Sequence, residues 1–363
     1  MRKHYIDNIR WTTVILVLIY HVFYMFNHAG VFGGIKPLEG AEGADVLLYF
    51  VYPWFMALLF LLAGMSARYA LSKRTAKQFI GGRVTKLLVP STLGLFVFQW
   101  LGGYLNVKIG GGLDTIPPIA RYPIFALSGT GPLWFIQLLF LFSLLLIPIK
   151  KLDASDRLWT LCKGTKLPVL LLLAIPVWGA SQILNAPVIT TYRFGIYFVC
   201  FLLGYFVFSH DEVTDRLQKA RLPMLIAAVT AGVLYTVYFF GENYTEDACL
   251  KHVFTSVYLW LAILAIIGCS KAWFNKENRL TAYMNRVSFG WYIVHYPVLL
   301  AVCFALVNFI ALPSAAVYIL ALVIYVPLTA AVYELLRRIP FVRWAVLGIK
   351  KRKEEKKTAE EGT

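Results

Sequence analysis

Charge is scarce in this chain. Only 15% of its residues are charged and 59% are apolar, with 19 acidic side chains set against 35 basic ones. A soluble domain carries about 25% charged residues, so the shortage excludes a freely soluble globular protein. Cysteine is nearly as rare. The five cysteines, at positions 162, 200, 249, 269 and 303, show no C-x-x-C spacing and no nearby cluster of histidines, so neither a disulfide framework nor a metal site is expected. Alternating apolar and polar segments of about ten residues are missing too, which excludes a transmembrane β-barrel. No polar stretch is long enough to suggest an appended soluble catalytic domain.

What the sequence has instead is apolar length. Ten blocks, at 11–30, 45–71, 87–105, 132–149, 167–184, 194–208, 222–240, 252–270, 287–312 and 317–336, stand out. A block of about twenty residues crosses ~30 Å of hydrocarbon as a helix. The expected fold class is all-α: a polytopic integral membrane protein of about ten transmembrane helices over 1–336, followed by a mixed-charge tail at 337–363. A cytoplasmic N-terminus puts 72–86, 150–166, 209–221, 271–286 and the tail inside, leaving only Lys36, Lys108, Arg121, Arg193 and Lys251 outside. Both termini are then cytoplasmic, in a multi-pass protein of a cell membrane, bacterial inner or plasma. The formal charge of +16 reads as this topological signal and as attraction to anionic lipid, not as support for nucleic-acid binding. The first block is too long and too interrupted by polar residues for a cleaved signal, so it is expected to persist as a helix.

That first block carries Asp7 and Arg10 at its start and His21 within. Eleven helical steps of 100° bring Arg10 and His21 to the same face within about 20°, some 16 Å apart along the axis. Asp7 stands three residues before Arg10, close enough to pair, and His28 falls seven beyond His21 on nearly the same stripe. Ionisable groups facing lipid at mid-membrane cost roughly 2.5–3.5 kcal/mol each, so the stripe is expected to face a buried polar path. Taken singly, each has a plainer reading: a hydrogen-bonded core imidazole, an arginine reaching for headgroups, a carboxylate at a helix start.

Two further stretches bear on chemistry. In "SFGWYIVHYP", 288–297, Ser288, Tyr292 and His295 follow i, i+4, i+7 on one helix face, and His295 lies at a depth similar to His21. A structural hydrogen bond for His295 beside Pro297 is the alternative. In "SKRTAKQFIGGRVTKLLVP", 72–90, five cations crowd a stretch read as a cytoplasmic loop, and Arg83 and Lys86 stand one turn apart where a phosphorylated group could bind. Positive-inside bias alone also explains them. Glu39, Glu42 and Asp45, with the glycine-rich 109–118, could meet a polar acceptor, although solvated loops are the simpler account.

With "IDNIR" and His21 the sequence resembles the membrane-bound acyltransferase type 3 family and is particularly similar to its glucan succinyltransferase branch. The family's arginine and histidine separated by ten residues match Arg10 and His21, and its R-x-x-R pair corresponds to Arg83 and Lys86, where lysine replaces the second arginine. "PWFMALLFLLAGMSA" at 53–67, "PLWFIQLLF" at 132–140 and "SFGWYIVHYPV" at 288–298 extend the likeness over most of the spans.

The resemblance implies transfer of an acyl group, acetyl or succinyl, from cytoplasmic acyl-CoA to a hydroxyl of a carbohydrate or cell-envelope glycan. No permanently bound cofactor and no metal are expected. His21 would take the acceptor's proton, Arg10 and Asp7 would orient it or balance charge, and Arg83 and Lys86 would hold the CoA phosphates. His295, Tyr292, Ser288 and His28 would line the site. Lysine keeps the charge but loses the planar fork of arginine. Direct transfer is preferred, with a transient acyl-His as the alternative. A proton-coupled transporter or exporter that uses the His21 stripe as a relay is the competing class. The missing internal repeat and the Arg-to-His spacing favour the enzyme.

Overall fold

A computed structural model describes residues 3–187 and 191–350. The chain is almost wholly helical, as it must be where lipid offers backbone groups no hydrogen-bond partners. The main helices are α1 (His4–Tyr24), α2 (Val46–Leu71), α3 (Ala76–Ile109), α4 (Pro118–Ser128), α5 (Trp134–Leu152), α6 (Leu167–Ser181) and α7 (Phe194–Phe208). They continue with α8 (Asp211–Lys219), α9 (Arg221–Phe239), α10 (Val253–Trp273), α11 (Arg279–Phe309), α12 (Ser314–Leu336) and α13 (Pro340–Leu347). The strands among the described residues are one short antiparallel pair, Asn185–Pro187 with Thr191–Arg193.

Eight of these helices are long and apolar enough to cross a membrane, and α7 with α8 makes a ninth candidate bent by 96°. The block at 167–184 yields only the shorter α6, because Pro176 cannot donate the helical bond to Leu172. Ten crossings are therefore reached only if the bent and the short helices cross as well. The stretch 72–86, read as a loop, is instead largely helical: Thr75 and Gln78 form a capping box, and α3 continues from there into the apolar span. Likewise the segment following α12 opens with α13, whose Ala345, Val346 and Leu347 are buried. The rest of the expected tail, 351–363, lies outside the described residues.

Tertiary contacts sort the helix ends into two sets. At one end, Lys3 donates to Tyr69 (2.9 Å) and pairs with Asp211 (2.7 Å), while Asn8 donates to the carbonyls of Phe274 (2.6 Å) and Lys276 (2.9 Å). At the other, Tyr20 meets Tyr244 (3.0 Å), Tyr49 donates to Glu242 (2.6 Å) and Ser314 to Glu39 (2.8 Å). The first set carries most of the lysine and arginine and is called the basic end below; the second is the far end. At the centre stands α2, 78% of its apolar window buried, whereas α9 (33%) and α12 (28%) turn most of theirs outward. α2 crosses α7 so closely that a Cβ on Gly64 would lie 1.9 Å from the Phe201 carbonyl oxygen, and one on Gly204 1.9 Å from that of Leu61. Only glycine permits such an approach, the usual means by which membrane helices pack without a hydrophobic drive. α1 sits against α2, α10 and α11, which places its polar stripe inside the bundle.

Candidate active site

The stripe of α1 is shared between two cavities. Lys3, Asp7, Arg10 and Val14 line one of about 1010 Å³ at the basic end. Val17, Tyr20, His21 and Tyr24 line another of about 450 Å³ reaching to the far end, where Thr245, Glu246 and Asp247 also border it. Spacings of three and four residues keep these side chains on one helix face, so the face passes from one cavity to the other between Val14 and Val17. Along α11 the same division recurs: Ser288 faces the basic cavity and Tyr292 lines both.

His21 stands at the inner wall of the far cavity. Its Nδ1 lies 2.7 Å from the Val17 carbonyl oxygen. A carbonyl only accepts, so Nδ1 carries the proton and Nε2 keeps its lone pair, the tautomer a general base needs. The His295 ring is 5.1 Å away, centroid to centroid. His295 is fully buried and, contrary to the expectation that it lines the site, borders neither cavity; its Nδ1 lies 2.6 Å from the Tyr292 carbonyl oxygen, and its Nε2 has no hydrogen-bond partner among the described residues. By the same logic that Nε2 keeps its lone pair. Tyr20, Tyr24 and Tyr296 surround His21 with ring centroids 5.4–5.9 Å away.

Tyr292 stands where the two cavities meet. Its hydroxyl donates to the Pro132 carbonyl, and its ring packs edge-on against Phe135 at 5.8 Å and beside His295 at 5.6 Å. Pro132 is presented by a tight turn in which Gly131 has φ +40° and a Cβ would meet the Tyr296 ring at 2.7 Å. Glycine is needed there on both counts.

In the basic cavity Arg10 pairs with Asp7 (2.9 Å) and donates to Ser66 (2.8 Å), so the pairing expected from the sequence spacing forms. Arg83 lies over the Phe79 ring at 4.9 Å, and Lys86 sits in a wider turn, Val84–Leu88, with π-helical bonding. Lys73 and Arg286 line the same space. Among the described residues none of these last four cations has an acidic partner. Deeper in, Leu59, Ala63, Phe135 and Leu139 make the wall apolar. A cavity that is cationic at its mouth and apolar within suits a ligand with an anionic head and a long arm.

Residues 3–334 match a family model described as an acyltransferase domain. The chain belongs to the acyltransferase type 3 family. Comparison with curated proteins and with solved structures finds no match. The family makes the chain an acyltransferase, acting on groups other than aminoacyl groups, with multiple helices apolar and long enough to cross a membrane.

Two candidate residues, His28 and Asp45, lie elsewhere than the sequence implied. His28 does not extend the stripe, because α1 ends at Tyr24 and the chain turns. Its ring Nε2 lies 2.9 Å from the Leu38 carbonyl oxygen and its backbone N–H donates to Asp45 (2.8 Å), and it lines neither cavity. Asp45 is buried against it and is not a loop carboxylate open to an acceptor. Missed altogether was the aromatic wall of the far cavity, in which Tyr52, Phe55, Trp134, Tyr192 and Tyr197 join α1's tyrosines. With 21 tyrosines in the chain the signal was present, but their meeting place depends on which helices pack together. Arg68 was missed as well. Its guanidinium grips Asp156 with two bonds (2.7 and 2.9 Å), lies over the Trp159 ring at 4.0 Å, and so anchors the 153–162 segment to α2.

Proposed function

We propose that this acyltransferase accepts acyl-CoA, with an acetyl or succinyl group, in the basic cavity and transfers the acyl group to a carbohydrate-type hydroxyl held in the far cavity. The single observation that carries this reading is the shared stripe. Two cavities from opposite ends converge on one helix face, with the proposed base at the inner wall of one and Arg10 in the other. Arg83, Lys86, Lys73 and Arg286 would meet the phosphates of CoA, and the apolar wall its pantetheine arm. Positive-inside bias supports a cytoplasmic basic end, where acyl-CoA is made available. In the far cavity, tyrosine and tryptophan rings offer apolar faces with polar edges, a surface suited to a sugar.

In the step itself, Nε2 of His21 takes the proton of the acceptor hydroxyl as its oxygen attacks the thioester carbonyl carbon. The carbon–sulfur bond then breaks, and the departing thiolate receives that proton from the imidazolium. His295, fully buried with its ring 5.1 Å from that of His21, would not touch the acceptor but would share the proton held by His21. Arg10, about 16 Å from His21 along α1 and paired with Asp7, would meet the donor on its way in and not the reacting carbonyl. This is direct transfer; no covalent acyl-enzyme is needed. The test is to incubate membranes bearing the protein with radiolabelled acetyl-CoA or succinyl-CoA and a panel of glycans. Label appearing in a glycan fraction supports the reading. Label transfer to no glycan under either donor, with the protein folded, refutes it.

A further inference from the structure

The helix α13 lies beyond the residues 3–334 that the family model covers, yet it forms part of the basic cavity: Leu347, Gly348 and Ile349 stand in its wall beside Arg83 and Lys86. It runs antiparallel to α3. Near its end, Gly348 packs on the turn that carries Lys86, so that a Cβ there would lie 2.5 Å from the Thr85 carbonyl oxygen and 2.9 Å from the Lys86 Cα. Further along, the Ala345 carbonyl oxygen lies 3.1 Å from where a Gly94 Cβ would be. Two glycines, Gly94 on α3 and Gly348 just past the end of α13, thus set the approach. Gly348 also has φ +63°, with its N–H bonded to the Trp344 carbonyl (3.1 Å) and that of Ile349 to the Arg343 carbonyl (3.1 Å), so the chain leaves α13 in a left-handed turn aimed at α3.

Lys86 sits in the π-helical turn Val84–Leu88, an arrangement that costs a helix some regularity and persists where neighbouring structure holds it. The neighbour is α13. Resting on the acyl-CoA reading above, we infer that α13 is a positioning element of the donor site: it fixes the Lys86 turn and walls the cavity so that an anionic, phosphate-bearing donor is held at its mouth. A lysine lacks the planar fork of an arginine, so holding its turn in place matters more here.

The test measures binding of CoA itself to the purified full-length protein by titration, alongside acyl-transfer kinetics. Ile349 is 38% exposed at the cavity wall, so substitutions there leave folding intact. Ile349→Asp is expected to weaken CoA binding and raise KM for acyl-CoA by about tenfold, and Ile349→Lys to leave it equal or tighter, with the difference shrinking at high salt. Gly348→Val should raise the same KM with little change in kcat, as loss of donor positioning demands. Phe341→Ala, an exposed change on the same helix, should alter neither. Equal CoA affinity for wild type and both Ile349 variants would overturn this inference while leaving the donor assignment standing. Failure of the wild-type protein to bind CoA at all would overturn the donor assignment, and this inference with it.

Discussion

Replacing Tyr292 tests whether the partition between the two cavities is what keeps transfer ahead of hydrolysis. Tyr292→Phe keeps the ring and removes the hydroxyl, leaving the Pro132 carbonyl without its donor. Losing such a bond costs about 1–3 kcal/mol of stability when the acceptor stays buried, but the wall itself remains, so the ratio of hydrolysis to transfer should stay close to that of wild type. Tyr292→Ala removes the ring. A large buried aromatic cut to alanine typically costs about 3–5 kcal/mol, but here the ring already borders open space on two sides, and the lower end applies. Its main consequence is a wider opening where cavities of about 1010 and 450 Å³ meet, beyond the gap that the acyl group itself must cross. Water from the far cavity would then reach the thioester, and excluding water from a reactive group is one of the services a closed site performs. The assay follows release of free CoA thiol with and without acceptor. Tyr292→Ala should release thiol without acceptor faster than wild type, while Tyr292→Phe should not. An Ala variant that stays folded and shows the wild-type ratio of hydrolysis to transfer would refute the partition.

Two other predictions concern the frame that carries the site. Gly204→Val would place methyl groups where the Leu61 carbonyl already leaves only 1.9 Å for a Cβ, so α2 and α7 must separate; size-exclusion chromatography in detergent should show loss of the folded monodisperse species, and a normal profile would contradict the packing. Arg68 holds the Asp156 carboxyl below the usual carboxylate range by donating to it. That contribution to stability is present above the unfolded value of about 3.9 and is lost as pH falls through the lower folded value. Wild-type melting temperature should therefore drop on acidification below about pH 4 more steeply than that of Asp156→Asn. Asparagine tolerates the left-handed backbone at this position (φ 54°), so the comparison isolates the charge; parallel curves would show that the pair contributes nothing.

Much of this architecture was legible in the residues. The apolar blocks gave the helical class because only length and hydropathy are needed to recognise a span, and the Asp7–Arg10 pair formed because i, i+3 geometry is local. Helix ends were less legible. His28 was extrapolated along a helix that stops at Tyr24, four residues short of it, and the 72–86 segment hid its helix behind a charge run that reads equally as loop. Long-range coincidences were illegible: nothing in the spacing of residues says that Tyr292 reaches Pro132, that Arg68 finds Asp156, or that α13 returns to α3. His21 and His295 do meet, as similar depth allowed, but depth does not decide which helices are neighbours.

The central claim is that an acyl group enters from the basic end and leaves on an acceptor at the far end by way of His21. It is tested most directly in sealed vesicles holding the purified protein in one orientation, with labelled acyl-CoA outside, at the basic end, and the acceptor trapped within. Wild-type vesicles should label the trapped acceptor, and His21→Gln vesicles should label it at least about a hundredfold more slowly, the usual contribution of a general base. Equal labelling by the two proteins would contradict the account.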